Sequence, residues 1–504
     1  MAARFTALQP NVLFVTFDQF RADAMGCAGH PLVETPTLDK LAADGVRFAR
    51  HYAGAAPCAP GRAALYTGMY QMNNRVVANG TPLDDRFDNV ARISRRAGYE
   101  PILFGYTDQG VDPRVVSDPS DPRLSDYEGV LPGFDVGLDL PGHHKPWLAW
   151  LETLGYEVAD AEAMLRTENE RPAEHSASAF LANHVIDWLA QRPTSPNDPW
   201  FVHASFIRPH PPYCAPGVFA NMYDPSDCPV ALPTGDDRHP MHDTLLTVPG
   251  ASAPRDPAKI ARIRAQYYGM ISHNDEQLQR IIDAIIARGE WDDTVVVLTS
   301  DHGEQLGDQG LIEKAGFFES SFHIAAIVRD PRCRESRGTV VREFTEAVDI
   351  VPTICEAIGA PIPAQCDGMP LTEFLRGETP THWRTAAHYE WDWRDAFIPS
   401  NNDQWPRKRR LEHQRLVVQR SDRYAYVHFG DGSWRCHDLH SDPTWCTLVT
   451  DANVIIDQAH ALLDWYGEHL DRTMTSMLLR DGGIGRWPEQ HPGSSTNTES
   501  IAPV

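Results

Sequence analysis

The sequence is short of positive charge: 45 lysines and arginines stand against 69 aspartates and glutamates, a formal net charge of -24 over 504 residues. That balance disfavours nucleic acid as a partner, because phosphate backbones are held by clustered Lys and Arg. It also repels anions at long range, so any anion site must be basic locally. Paired cysteines are missing too. The nine cysteines, at 27, 58, 214, 228, 333, 355, 366, 436 and 446, are scattered and contain no Cys-x-x-Cys. This argues against thiolate zinc sites and dithiol redox motifs and suits reduced thiols in a cytoplasmic protein. Long apolar runs are absent: Val12 to Phe17 is far too short to span a membrane, and Met1 to Pro10 lacks a signal-peptide pattern. A cytoplasmic location without a membrane partner is expected. With 42% hydrophobic and 23% charged residues, the chain reads as globular, and its length calls for a large domain plus a smaller one.

What is present is organised around Cys58-Ala59-Pro60-Gly61-Arg62-Ala63-Ala64-Leu65-Tyr66-Thr67-Gly68. Pro60 suits a first helical position, Ala63 to Tyr66 can carry the helix, and Gly68 can stop it. Cys58 then lies at a helix N-terminus, where free N–H groups and the positive dipole end favour an anion. Arg62 adds a planar fork of donors for phosphate-like or sulfate-like oxygens. A lone cysteine beside a proline is ordinarily a small buried hydrophobe. Its company is what argues otherwise.

Asn11 to Asp18 is a near-continuous apolar run ending in an acid, and Thr294 to Asp301, followed by His302 and Gly303, is another. Both read as buried parallel strands, although a strand-terminal Asp is by itself equally suited to cap a helix. Strand ends on one edge of an open α/β sheet converge on one cleft. Pro199 to Phe206 reads as a further strand, and the prolines after it stiffen the backbone around His210. Asp18, Gln19, Asp301 and His302 offer hard oxygen ligands and one imidazole, which suit a single divalent ion of the Mn²⁺ or Ca²⁺ kind.

Other elements are expected as a helix over 37–45, a strand at Val46 to Phe48, a helix end at Ile93 to Gly98, and a strand and turn over Tyr99 to Tyr106. Residues 111–195 read as long loops with one helix near 177–191. Lys259 to Arg288 carries Leu278, Ile281, Ile282 and Ile285 at helical spacing. A strand at Ala325 to Val328 and a helix over Phe344 to Ile358 follow. From about residue 380, short alternating strands around a Gly430-Asp431-Gly432 turn indicate an antiparallel sheet, with a helix near 453–470 against it. The expected fold is α/β: a large mixed, mostly parallel sheet flanked by helices over residues 1–379, then a smaller antiparallel-sheet-plus-helix domain over 380–504. Residues after Asp481 read as an extended arm suited to holding subunits together.

Cys58-x-Pro60-x-Arg62, with Leu65, Thr67 and Gly68 behind it, resembles the signature of type I sulfatases and the related phosphonate monoester hydrolases of the alkaline phosphatase superfamily. The order of strand with Asp, helix, strand and cysteine matches the opening of that family. The resemblance implies an alkaline-phosphatase-like fold and oxidation of Cys58 to Cα-formylglycine by a separate maturation enzyme. It also implies one divalent metal ion on Asp18, Gln19, Asp301, His302 and the modified Cys58. By the same likeness, Asn79 and Tyr106 face the substrate oxyanion, Arg62 steadies the aldehyde hydrate, and Asp301 or a neighbour takes the nucleophile's proton. His210 assists the leaving oxygen, and Lys314, thirteen positions after Asp301, meets the substrate anion. Subunits are expected to pair as a homo-oligomer, dimer or tetramer.

Where most sulfatases carry a Lys after the corresponding glycine, this chain reads Gly105-Tyr106-Thr107-Asp108. Asp18-Gln19 and Asp301-His302 likewise stand in place of Asp-Asp and Asp-Asn, as in the phosphonate monoester hydrolase branch, and the imidazole favours Mn²⁺ over Ca²⁺. The expected activity is hydrolysis of small anionic esters, phosphonate monoesters and phosphodiesters together with aryl sulfates, through a covalent intermediate. A dedicated arylsulfatase, a two-metal phosphatase and a non-catalytic anion-binding module are the alternatives.

Overall fold

The structure is a computed structural model that describes residues 9–126, 128–195, 197–392 and 414–470, together with the backbone of strands 477–480 and 483–486. In chain order the first strands are β1 (Asn11–Phe17), β2 (Val46–Tyr52), β3 (Ala55–Ala56), β4 (Pro101–Gly105), β5 (Asp135–Asp139), β6 (Phe201–Phe206), β7 (Thr294–Thr299), β8 (Ala326–Arg329) and β9 (Thr339–Glu346). All but β3 form an eight-stranded sheet in the order β5-β4-β6-β1-β7-β8-β2-β9. Only β8 runs antiparallel to its neighbours, so the sheet is mixed and mostly parallel.

The central position of β1 follows from its composition. Val12 and Phe14 point into one buried cluster, Leu13, Val15 and Phe17 into the other, and all are fully buried. Each such side chain contributes about 1.5–3 kcal/mol of transfer free energy. A strand buried on both faces needs helices on both faces. The helix Pro257–Ala287 covers one of them, starts on the Asp256 cap and buries Leu278, Ile281, Ile282 and Ile285, the stripe that the spacing indicates.

The second sheet holds β10 (Ala386–Asp392), β11 (Arg415–Ser421), β12 (Tyr424–Phe429) and β13 (Trp434–Asp438), antiparallel to one another. The helix Ala452–His469 packs on it through Leu462 and Trp465. β3, separated from Cys58 by Pro57 alone, joins the edge of this sheet, with Ala55 opposite Glu390. Cys58 is therefore anchored by both sheets. Among the described residues no helix is long and apolar enough to cross a membrane, and all nine cysteines are free.

Three local expectations need correction. Residues 111–195 contain β5 and the helices Lys145–Thr153 and Ala161–Arg166 besides Ala177–Gln191. The first of these buries only Trp147 and Leu151, too short a stripe to stand out as periodicity. Phe344 to Glu346 end strand β9, pairing with Arg50 to Tyr52. The helix there begins at Ile350, after a 3₁₀ turn with a Glu346/Asp349 capping box. Cys58 rather than Pro60 is the first helical residue, with Pro57 at the N-cap. The arm expected after Asp481 lies outside the described residues, apart from the backbone of 483–486.

Candidate active site

The parallel strands deliver their carboxyl ends to one edge. Thr16 lies opposite both Ser205 and Thr299, so Asp18 leaves β1, Asp301 leaves β7 and Arg208 leaves β6 side by side. The helix Cys58–Thr67 meets them there and ends at Gly68, whose φ of 70° and N–H to Ala64 O close it. At Gly61 a Cβ would stand 2.5 Å from the carbonyl oxygen of Asp301. The absence of a side chain there lets the helix seat against the Asp301 turn.

Cys58 Sγ lies 3.2 Å from His302 Nε2. Donor atoms of Asp18, Cys58, Asp301 and His302, all buried, lie within 4.8 Å of one another. His302 Nδ1 donates to Gly303 O at 3.0 Å, which leaves the Nε2 lone pair facing the group, 3.9 Å from Asp18 Oδ1 and 3.8 Å from Asp301 Oδ2. Asp18 Oδ1 is buried and has no hydrogen-bond partner. An orphaned carboxylate oxygen and an imidazole lone pair aimed at the same point fit a divalent cation. Burial, reinforced by Asp18, pushes the Cys58 thiol well above its usual range even though Lys314 works against this. Burial thus disfavours the thiolate, the form in which cysteine acts as a nucleophile.

Arg62, fully buried, ties the acids together. Its Nη2 donates to Asp18 Oδ2 and its Nε to Asp301 Oδ2, each at 3.0 Å. Nη1 reaches Ser205 Oγ at 2.9 Å and Tyr66 Oη and Tyr106 O at 3.1 Å, and the guanidinium lies 4.1 Å from the centre of the Tyr106 ring. Burial alone would raise the Asp18 carboxyl, but Arg62, His302 and Lys314 hold it below the usual range.

A second cation stands opposite. Lys314 Nζ donates to His210 Nε2 at 2.8 Å and Gln19 Oε1 at 3.1 Å, with Glu313 at 3.6 Å. His210 Nδ1 pairs with Pro211 O at 2.8 Å, so this imidazole accepts from lysine. Burial and the neighbouring Lys314 push it down to about 3. Gln19, at φ 68°, donates Nε2 to Glu304 Oε2, which also accepts from Tyr213 Oη at 2.9 Å. Glu304 Oε1 takes the N–H groups of Leu306 and Glu313. Sequence reasoning missed Glu304 and Tyr213. Only the proximity of Glu304 to Asp301-His302-Gly303 could have pointed to it.

The remaining expected residues also gather here. Tyr106 Oη donates to Asp18 Oδ2. Asn79 Oδ1 accepts from the N–H of Ala59 at 3.0 Å, clasping the turn that carries Cys58. Asp108 is buried at φ 55° with Oδ1 unpartnered, and burial together with nearby acids pushes its carboxyl well above the usual range, against the pull of Arg62.

Residues 10–360 match the family model described as sulfatase, and residues 307–465 match the one described as N-sulphoglucosamine sulphohydrolase, C-terminal. The multifunctional alkaline phosphatase superfamily protein PehA of Trinickia caryophylli is 34% identical, over 94% of this chain and 98% of its own length. An arylsulfatase of Clostridium perfringens is 26% identical over 88% of this chain and 91% of its own. Among solved structures, the phosphonate monoester hydrolase of Agrobacterium radiobacter superposes with a TM-score of 0.84 at 39% identity, covering 95% of this chain and all 100% of that one. The phosphonate monoester hydrolase of Silicibacter pomeroyi gives 0.83 at 32% identity, covering 96% and 100%.

Proposed function

The chain belongs to the sulfatase family, within the alkaline phosphatase superfamily, and on that premise we propose that it hydrolyses phosphonate monoesters and phosphodiesters, with aryl sulfate esters as further substrates. The observation that carries this reading is Cys58, buried with its Sγ 3.2 Å from His302 Nε2 in a cluster with two carboxylates. A thiol so placed is unsuited to attack, whereas its oxidation to formylglycine, as in the family, supplies a hydrated aldehyde with one hydroxyl to attack and another to release the product.

Asp18, Asp301 and His302 would hold a divalent metal ion, with Gln19 Oε1 beside them. Such an ion acts as a Lewis acid that offsets negative charge on the ester and lowers the pKa of a bound hydroxyl. Mn²⁺ is favoured over Ca²⁺ because one ligand is an imidazole. Arg62 fixes the separation and orientation of the two carboxylates. Lys314 directs its ammonium at the oxygens of the tetrahedral centre or at the departing oxygen. His210, whose Nδ1 donates to Pro211 O and whose Nε2 accepts from Lys314, aims that charge and has no Nε2 proton to give in that tautomer. Tyr106 and Asn79 complete the wall on the side of the nucleophile. The reading further includes a formylglycine-generating maturation enzyme as a partner and a homo-oligomeric assembly, to be checked by sedimentation.

The test uses protein whose Cys58 modification has been quantified by the mass of its tryptic peptide, assayed on an aryl phosphonate monoester and an aryl sulfate. Turnover of both, in proportion to the modified fraction, is expected. Full activity with an unmodified thiol rejects the mechanism, and sulfate turnover higher by orders of magnitude makes the protein a dedicated arylsulfatase.

A further inference from the structure

Beside the nucleophile lies a group of hydrogen-bond acceptors that the protein leaves unsatisfied. Asp108 is 3% exposed and its Oδ1 has no partner. Gln109, 1% exposed, donates Nε2 to the carbonyl oxygens of Ala59 and Asp108 at 2.9 Å each, while its Oε1 has none. The Gln109 bond to Ala59 holds this segment against the turn that carries Cys58. Asp108 keeps a left-handed φ of 55°, which Asp and Asn tolerate best among residues with side chains.

Buried acceptors are nearly always paired, and an unpaired group at a reacting centre points to a donor that arrives with the ligand. These atoms are not part of the candidate metal cluster, which comprises Asp18, Cys58, Asp301 and His302. Nor does an unpaired acceptor oxygen suit the anionic centre of the substrate. What they can accommodate is the substituent on that centre.

We propose that Asp108, supported by Gln109, is a specificity-determining residue that accepts a hydrogen bond from the ester substituent, so that preferred substrates carry an amine or a hydroxyl there. This rests on the hydrolytic reading above. A substituent with a donor pairs the buried oxygens, whereas an alkyl substituent of the same size leaves them stranded and loses turnover accordingly.

The experiment compares three aryl phosphodiesters that differ only in the retained ester group: 2-aminoethyl, 2-hydroxyethyl and n-propyl. Each is assayed on protein with quantified Cys58 modification. The wild type is expected to prefer the donor-bearing esters over the propyl ester in kcat/KM by about tenfold or more. Asp108→Gly, which fits the positive φ, should bring both ratios close to one. Asp108→Asn should keep the preference for hydroxyl, since Asn retains an acceptor, and reduce that for amine. Equal wild-type rates on all three esters, or an unchanged ratio in both variants, overturn the inference and leave the hydrolytic reading standing. Failure of the wild type to hydrolyse any of the three overturns that reading and the inference together.

Discussion

Arg62 and Lys314 are both buried cations facing the same cleft, yet their surroundings differ. Every nitrogen of Arg62 donates to protein: two carboxylates, two hydroxyls and a carbonyl. Lys314 instead rests on two neutral acceptors, Gln19 and His210, with Glu313 farther off. A guanidinium whose donors are consumed internally holds a site in shape. An ammonium propped on neutral groups keeps charge to give to a ligand. The fork of Arg62, read from sequence as a grip for sulfate or phosphate oxygens, is turned inward, and the anion-facing role falls to Lys314.

The largest effect should come from Cys58→Ala, which removes what both cations serve. Turnover of an aryl phosphonate is expected to fall by ~10⁴ or more, with the melting temperature shifted by only a few degrees because the substitution is small. Residual turnover near wild type would mean that the nucleophile lies elsewhere.

Arg62→Met comes next and strikes stability. Two buried carboxylates lose their shared partner, at about 3–5 kcal/mol, which denaturant unfolding would register as a lower midpoint. Lys314→Ala tests the other half of the comparison: kcat/KM is expected to drop by ~10²–10³, the scale for losing a preorganised donor, while the unfolding midpoint moves little. Should both variants unfold alike, the distinction between the two cations would collapse.

The smallest effect is that of pH. Burial pushes the imidazoles of His203, beside Arg62's partner Tyr66, and of His51 and His273 down to about 3. On the Lys314 side, burial and that lysine do the same to His210. Between that value and the ordinary one near 6.5, these imidazoles bind more protons unfolded than folded, so their contribution to stability rises with pH across this window and is lost as pH falls through it; Asp275 and Glu390, raised by burial to about 6 and about 7, work in the opposite sense. Thermal unfolding from pH 7 to pH 4.5 should show a falling melting temperature. His273→Gln should flatten the slope, and a curve with no slope would reject the neutral buried imidazoles.

Asp18, Asp301 and Cys58 were legible because each ends or begins an element with a local pattern: an apolar run closed by an acid, or a helix start. Glu304, Tyr213 and Gln109 were not, because they act through contacts that link Gln19 to Glu304 and Ala59 to Gln109 across long stretches of chain. No spacing rule records such pairs. The strand over Phe344 to Glu346 was mistaken for helix because Phe344, Ala347 and Val348 also fit a helical stripe. Pairing with β2, a tertiary interaction, decides it. The helix Lys145–Thr153 was not legible either, because Trp147 and Leu151 make a single pair four apart that no further buried residue extends into a stripe.

Gly61 carries a consequence for descent. Where even a methyl group would meet the Asp301 carbonyl at 2.5 Å, point mutation has almost nowhere to go, and the turn that presents the nucleophile is closed to gradual remodelling. The segment hung from the end of β4 is instead exposed over most of residues 117–126, where a changed side chain meets solvent rather than backbone. A lineage built on this chain would therefore change its diet by rewriting the rim of the cleft while inheriting the floor unchanged.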